Sequence, residues 1–232
     1  MRRLATYEIA PSSTDRVYFA HVFAWMAVAL AVTGGVSAAV GHDQRALNAI
    51  FGGGFPFVFL GLVVIQFLLV GGLVGLVKHM DAFTAGAIFL AYAAITGLTV
   101  SIIFAVYTTK SIFATFLIAA GMFAGLALVG YTTSIDMTSW GTFLGMALFG
   151  QLIGLVVNIF WLNDTLYWVT TVVGILLFSA YTAYDIQRLK QYETDGDDPA
   201  TVEKDAIVGA LALYLDFINL FLYLLRLFGR RR

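Results

Sequence analysis

Residues 205–228 read DAIVGALALYLDFINLFLYLLRLF. A helix needs about 20 apolar residues to cross the hydrocarbon core of a bilayer, and this run is long enough. Yet Asp216 sits near its middle, and Asp185 sits within the last turns of the apolar run before it. A charged side chain at that depth costs about 2.5–3.5 kcal/mol even on the mildest scale. These are the two acids of the chain that fall inside strongly hydrophobic segments. Two such residues on consecutive helices are a candidate site by default.

The rest of the chain fits a lipid solvent. Of its 232 residues, 60% are hydrophobic and 12% charged, half the roughly 25% charge of an ordinary soluble domain, and the mean hydropathy is +0.89. Seven stretches are long and apolar enough to span: 17–40, 55–77, 83–107, 112–131, 140–161, 166–186 and 206–228. They are continuous rather than alternating, so helices are expected and a closed barrel is not. The expected fold is all-α, a single seven-helix transmembrane domain over residues 1–232, with residues 1–15 a short polar tail that is retained rather than cleaved. Trp140, Trp161, Trp168, Tyr107 and Tyr131 fall at span ends, as interfacial anchors do.

Composition also excludes functions. A net charge of −1 gives no electrostatic reason to bind nucleic acid. The absence of cysteine removes thiolate catalysis and cysteine-based metal sites. No phosphate-binding glycine loop occurs, which argues against nucleotide-driven pumping, and the last span has no lysine for a retinal Schiff base. An intramembrane aspartyl protease would place two acids on adjacent spans, but Leu213, Tyr214 and Leu215 precede Asp216 where such enzymes resemble Gly-x-Gly. No enzymatic activity and no bound cofactor are expected.

Lysines and arginines near span ends suggest an orientation. Arg2, Arg3, Arg16, Lys78, Arg188, Lys190 and Lys204 would share one face, and Arg45 and Lys110 the other. That favours a cytoplasmic N-terminus in a multi-pass cell-membrane protein. Arg226, Arg230, Arg231 and Arg232 conflict with it, and a re-entrant last segment would remove the conflict. Small-xxx-small pairs at Gly71 and Gly75, Gly121 and Gly125, Gly141 and Gly145, and Gly150 and Gly154 are expected to pack helices within the chain.

If the sixth span continues past Ile186 by about a turn, Asp185 and Asp216 reach similar depths and can meet. Two carboxylates in a low dielectric do not both ionise easily, and the pair can share one proton. Shared, that proton ties the last two helices together. Lost, it leaves two anionic groups whose oxygens suit a hard cation such as calcium. The bland alternative is structural: a protonated acid hydrogen-bonded to Asn158, Gln151 or Gln66, with Arg188 pairing to Asp185 one turn away. His21 stands without an evident acid nearby, and His79 closes the second span beside Lys78.

Residues 181–190, YTAYDIQRLK, and 209–222, GALALYLDFINLFL, resemble signatures of the transmembrane Bax inhibitor motif family. Residues 95–99 with Val106 and Tyr107, then 130–133 and 157–160, are similar to its third, fourth and fifth spans. The resemblance runs from Asp15 onward and has a prokaryotic character. It implies a seven-helix bundle with the last helix central. It also implies a pH-sensitive calcium leak controlled by an Asp pair that falls on Asp185 and Asp216, with calcium as the transported or weakly bound ion. In prokaryotic members an arginine at the end of the second span is implicated in gating; here Lys78 and His79 stand nearest, and lysine lacks the arginine fork. Lys78, His79 and Arg188 are thus the gating partners to test. Other members act as stress or cell-death regulators or as partners of a membrane protease. The alternative function is therefore a membrane-embedded binding protein acting through the tail or the acidic connector at 193–204. Expected partners are the bilayer and calcium ions, with oligomeric state open.

Overall fold

A computed structural model describes residues 13–52, 55–191 and 198–232, and the side chains of 13–16, 55 and 56 are not described. The N-terminal tail through residue 12 and residues 193–197 of the acidic connector, to which the alternative function assigns activity, lie outside the described residues. Nine α-helices are described: α1 (Ser13–Gly41), α2 (Gln44–Phe51), α3 (Phe55–Leu76), α4 (Ala82–Val100), α5 (Ile103–Val106), α6 (Thr109–Thr132), α7 (Trp140–Trp161), α8 (Asp164–Lys190) and α9 (Pro199–Phe228). Seven segments are long and apolar enough to cross a membrane, and α5 completes the span that α4 begins. Among the described residues there is no strand, only an isolated bridge between Tyr107 and Arg231.

The boundaries differ from the hydropathy reading for local reasons. The last helix starts at Pro199 rather than at 206. Asp198 caps it by accepting from the Thr201 N–H, and proline at the first turn loses no hydrogen bond. Hydropathy marks only the apolar part of a helix. The third span is broken at Ser101, whose hydroxyl donates to the Leu98 carbonyl at 2.7 Å and tightens the turn. Helix α2 was not anticipated; Asp43 caps it, and Leu47 and Phe51 face inward. Exposed carboxylates at Asp81 and Asp198 cap α4 and α9, and their hydrogen bonds from Thr84 and Thr201 hold both acids below the usual carboxylate range.

Helix α9 is the most buried of the spans and packs against α1, α4, α6 and α8. Tyr214, Leu213, Leu220 and Leu225 are fully buried along it. Tyr214 meets Phe89 and Tyr92 edge-on at 5.7 and 5.9 Å, and its hydroxyl shares a 2.6 Å hydrogen bond with Thr33 on α1. Helices α3 and α7 are the least buried spans, packing chiefly on α4 and α8. The glycine pairs largely fail as packing motifs. A Cβ at Gly71, Gly75, Gly121, Gly125, Gly145 or Gly150 would meet nothing within 4 Å. Spacing marks a small face but not the direction in which it points. On α3, α6 and α7 most of those faces point away from the bundle. Close packing falls elsewhere, as at Gly97, where a Cβ would come 2.8 Å from the Thr33 carbonyl of α1.

Candidate functional site

Helix α8 does continue past Ile186, to Lys190. Gly209 of α9 packs under Leu189 of α8. Because the helices run antiparallel, this register brings Asp185 opposite the turn from Ala212 to Asp216. The two acids are direct electrostatic neighbours, and both are buried, Asp185 being 9% and Asp216 4% exposed. One oxygen of Asp216, Oδ2, is buried without a hydrogen-bond partner.

The amides that could have satisfied Asp216 are committed elsewhere. Gln66 donates to Thr96 Oγ1 at 2.8 Å. Gln151 donates to the Thr170 carbonyl at 2.6 Å and to the Tyr223 hydroxyl at 2.8 Å. Asn158 Oδ1 accepts from Asn163 N–H, and Asn219 donates to the Leu215 carbonyl one turn back. A buried polar group normally finds a partner, so an orphaned carboxyl oxygen marks a place that a proton or a cation could serve.

Asp185 lines two cavities, and Asp216 lines one of them. One, about 420 Å³, lies within the bundle, where Asp185 and Asp216 face Gln66, Tyr92, Gln151 and Asn219. The other, about 330 Å³, has Tyr18, Arg188, Gln191 and Asp205 in its wall. Asp185 and Ala212 belong to both. Asp185 therefore stands where a polar pocket at one end of the bundle adjoins the interior. Arg188 shares the polar pocket with it. Lys78 and His79 do not join this group. They sit exposed in the 3₁₀ turn Val77–His79 and line neither cavity. Among the described residues no group of three His, Asp or Glu side chains is assembled to hold a metal.

Sequence reasoning missed one cluster. His21 does have an acid beside it: its Nδ1 lies 2.7 Å from Glu203 Oε2, and Trp25 Nε1 donates to Glu203 Oε1 at 2.6 Å. No local signal could find a partner some 180 residues away. Only the pairing of α1 with α9 brings it close.

Comparison with known proteins agrees with the geometry of the spans. Residues 15–232 match the family described as "Inhibitor of apoptosis-promoting Bax1". The inner membrane protein YbhL of Escherichia coli K12 is 42% identical over 228 residues, 97% of this chain and 96% of YbhL. An uncharacterised protein of Borreliella burgdorferi is 39% identical over 93% of this chain and 92% of its own length. One of Deinococcus radiodurans is 32% identical over 100% of this chain and 98% of its own.

Proposed function

This chain is a multi-pass membrane protein of the family of inhibitors of apoptosis-promoting Bax1, and from that premise we propose that it is a pH-sensitive cation leak, with calcium its ion, gated by proton sharing between Asp185 and Asp216. The observation that carries the reading is the position of the acids, both buried on the interior cavity, with Asp185 also lining the polar pocket and one oxygen of Asp216 orphaned. An acid pair is an economical gate. With one proton between them the two groups attract and hold α8 to α9. Without it they repel each other and offer a cation four carboxylate oxygens.

Two carboxylates fall short of the six to eight oxygens of a tight calcium site. That suits passage rather than storage, since conduction needs binding strong enough to admit an ion and weak enough to release it. Gln66 and Asn219 also line the interior cavity.

The sign follows from the gate. Flux is lowest where the pair keeps its proton and rises as pH climbs and the proton leaves. The test is calcium flux into proteoliposomes across a pH series, with wild type beside Asp216→Asn and Asp185→Asn. Both variants should flatten the pH response. Unaltered flux and an unaltered pH response in both would defeat the proposal.

A further inference from the structure

A cavity larger than either of the two beside the acids is not used by this gate. It is a cleft of about 820 Å³ between α1 and α6. Phe23 and Leu30 of α1 form one wall, Ala120 and Ala124 of α6 the other, and Ile186 and Phe217 the floor. At one end α1 and α6 meet, where the ring of Phe19 stands edge-on to Tyr131 at 5.7 Å. At that same end Lys190 reaches over from α8. Its amine donates to the Tyr131 carbonyl at 2.9 Å and lies 4.7 Å above the Tyr131 ring.

We propose that this cleft holds one acyl chain of an anionic phospholipid whose phosphate is taken by Lys190. Three features argue for that occupant. Tyr131 aside, the side chains of the walls are apolar, so water gains little there, while unfilled space forfeits dispersion contacts along the lining. The length fits: from Tyr131 to Ala120 is eleven residues of α6, about 16 Å of helix, close to the roughly 15 Å of hydrocarbon in one leaflet. The charge fits too. An ammonium group has three donors, and Lys190 spends one on Tyr131.

Among the described residues no carboxylate pairs with Lys190. Asp136, the acid of the neighbouring loop, accepts instead from the Thr138 N–H at 2.9 Å. Among the described residues the other two donors of Lys190 meet no acceptor at the rim of this apolar slot, and basic positions beside membrane helices recognise anionic headgroups in this way. The site does not depend on ion conduction. It does lie directly behind the gate, because Ile186 and Phe217 follow Asp185 and Asp216 in sequence.

The test is native mass spectrometry of the full chain released from detergent after exposure to phosphatidylglycerol or phosphatidylcholine of identical acyl chains. Wild type should retain one phosphatidylglycerol in preference to phosphatidylcholine. Lys190→Gln should cut that preference about fivefold, the effect of one basic residue near a headgroup surface. Ala124→Trp, which fills the slot from its open side, should lower retention of both lipids. Equal retention in all three proteins would overturn the proposal. So would loss of preference in Lys190→Gln with full retention in Ala124→Trp, which would leave only a headgroup contact. A dimer that becomes a monomer in Ala124→Trp with lipid retention unchanged would overturn it in favour of a second copy. Should Ala124→Trp not fold, Leu128→Trp, at an exposed lining position of the same slot, takes its place in each of these comparisons.

Discussion

At Gly130 of α6 the backbone packs directly on the α8 backbone at Ala183, and replacing it with alanine tests whether that approach holds the acid pair in place. A Cβ at this position would overlap the Ala183 carbonyl oxygen and come within 2.9 Å of the Ala183 Cα. Those are helix backbone atoms and cannot rotate aside, so the two helices must part. Overpacking of this kind costs about 1–3 kcal/mol, and overlap with backbone puts Gly130→Ala at the upper end. Alanine also gains roughly 1 kcal/mol over glycine in helix propensity, which would mask part of the effect. Gly125→Ala is the control: it lies on the same helix, with nothing within 4 Å of its Cβ. Propensity cancels between the two variants. What remains is about 3 kcal/mol, or roughly 6–12 °C in unfolding midpoint for a chain of this size.

Thermal unfolding followed by circular dichroism in one detergent measures that difference. Ala183 lies two residues before Asp185, so Gly130→Ala should also alter the pH response of flux while Gly125→Ala should not. Equal midpoints for the two variants would refute the reasoning, since no backbone contact would then be limiting at Gly130.

Two further outcomes are expected. Gln151→Leu strips the Tyr223 hydroxyl and the Thr170 carbonyl of a buried donor and should cost about 1–3 kcal/mol, read as a lowered unfolding midpoint in detergent. Glu203→Gln removes the carboxylate that His21 and Trp25 share. It should change stability by no more than about 1 kcal/mol, because the pair is partly exposed, while changing the tryptophan emission through Trp25.

What was legible in the sequence was what local composition determines. Seven spans follow from the length of apolar runs, and the two acids stand out because hydrocarbon makes charge costly. That Asp185 and Asp216 line one cavity depended on the register of two antiparallel helices. The sequence permitted it, having no Pro or Gly between Gln187 and Tyr192, but did not require it. The glycine pairs misled because spacing along one helix says nothing about which neighbour faces it. Glu203 was invisible as a partner for His21 for the same reason. The α1–α6 cleft is a property of how far two helices diverge, and no residue in either announces it. Local energetics thus writes itself into sequence, while pairings between distant helices are decided by the whole bundle.

The arginines after α9 illustrate how such a pairing can settle a question that charge counting leaves open. A re-entrant last segment would have placed them on the same face as Arg188. Instead α9 is one continuous helix, Pro199–Phe228, and the residues after it fold back onto the turn between α5 and α6. The Thr108 N–H donates to the Arg230 carbonyl at 3.1 Å, the Arg232 N–H to the Val106 carbonyl at 3.0 Å, and the Arg230 N–H to Ser111 Oγ at 2.8 Å. The Arg231 side chain donates to the Tyr167 hydroxyl, and the Arg226 guanidinium lies 4.8 Å over the Tyr167 ring. All of these partners belong to the end of the bundle where α6 and α8 begin. Only a complete crossing by α9 brings arginines to that end, since a helix that turned back would leave Arg231 beside Arg188 and out of reach of Tyr167. These arginines are therefore bound into the fold at the end of the bundle opposite Arg188 and Lys190, and aromatic rings and backbone groups account for their presence there.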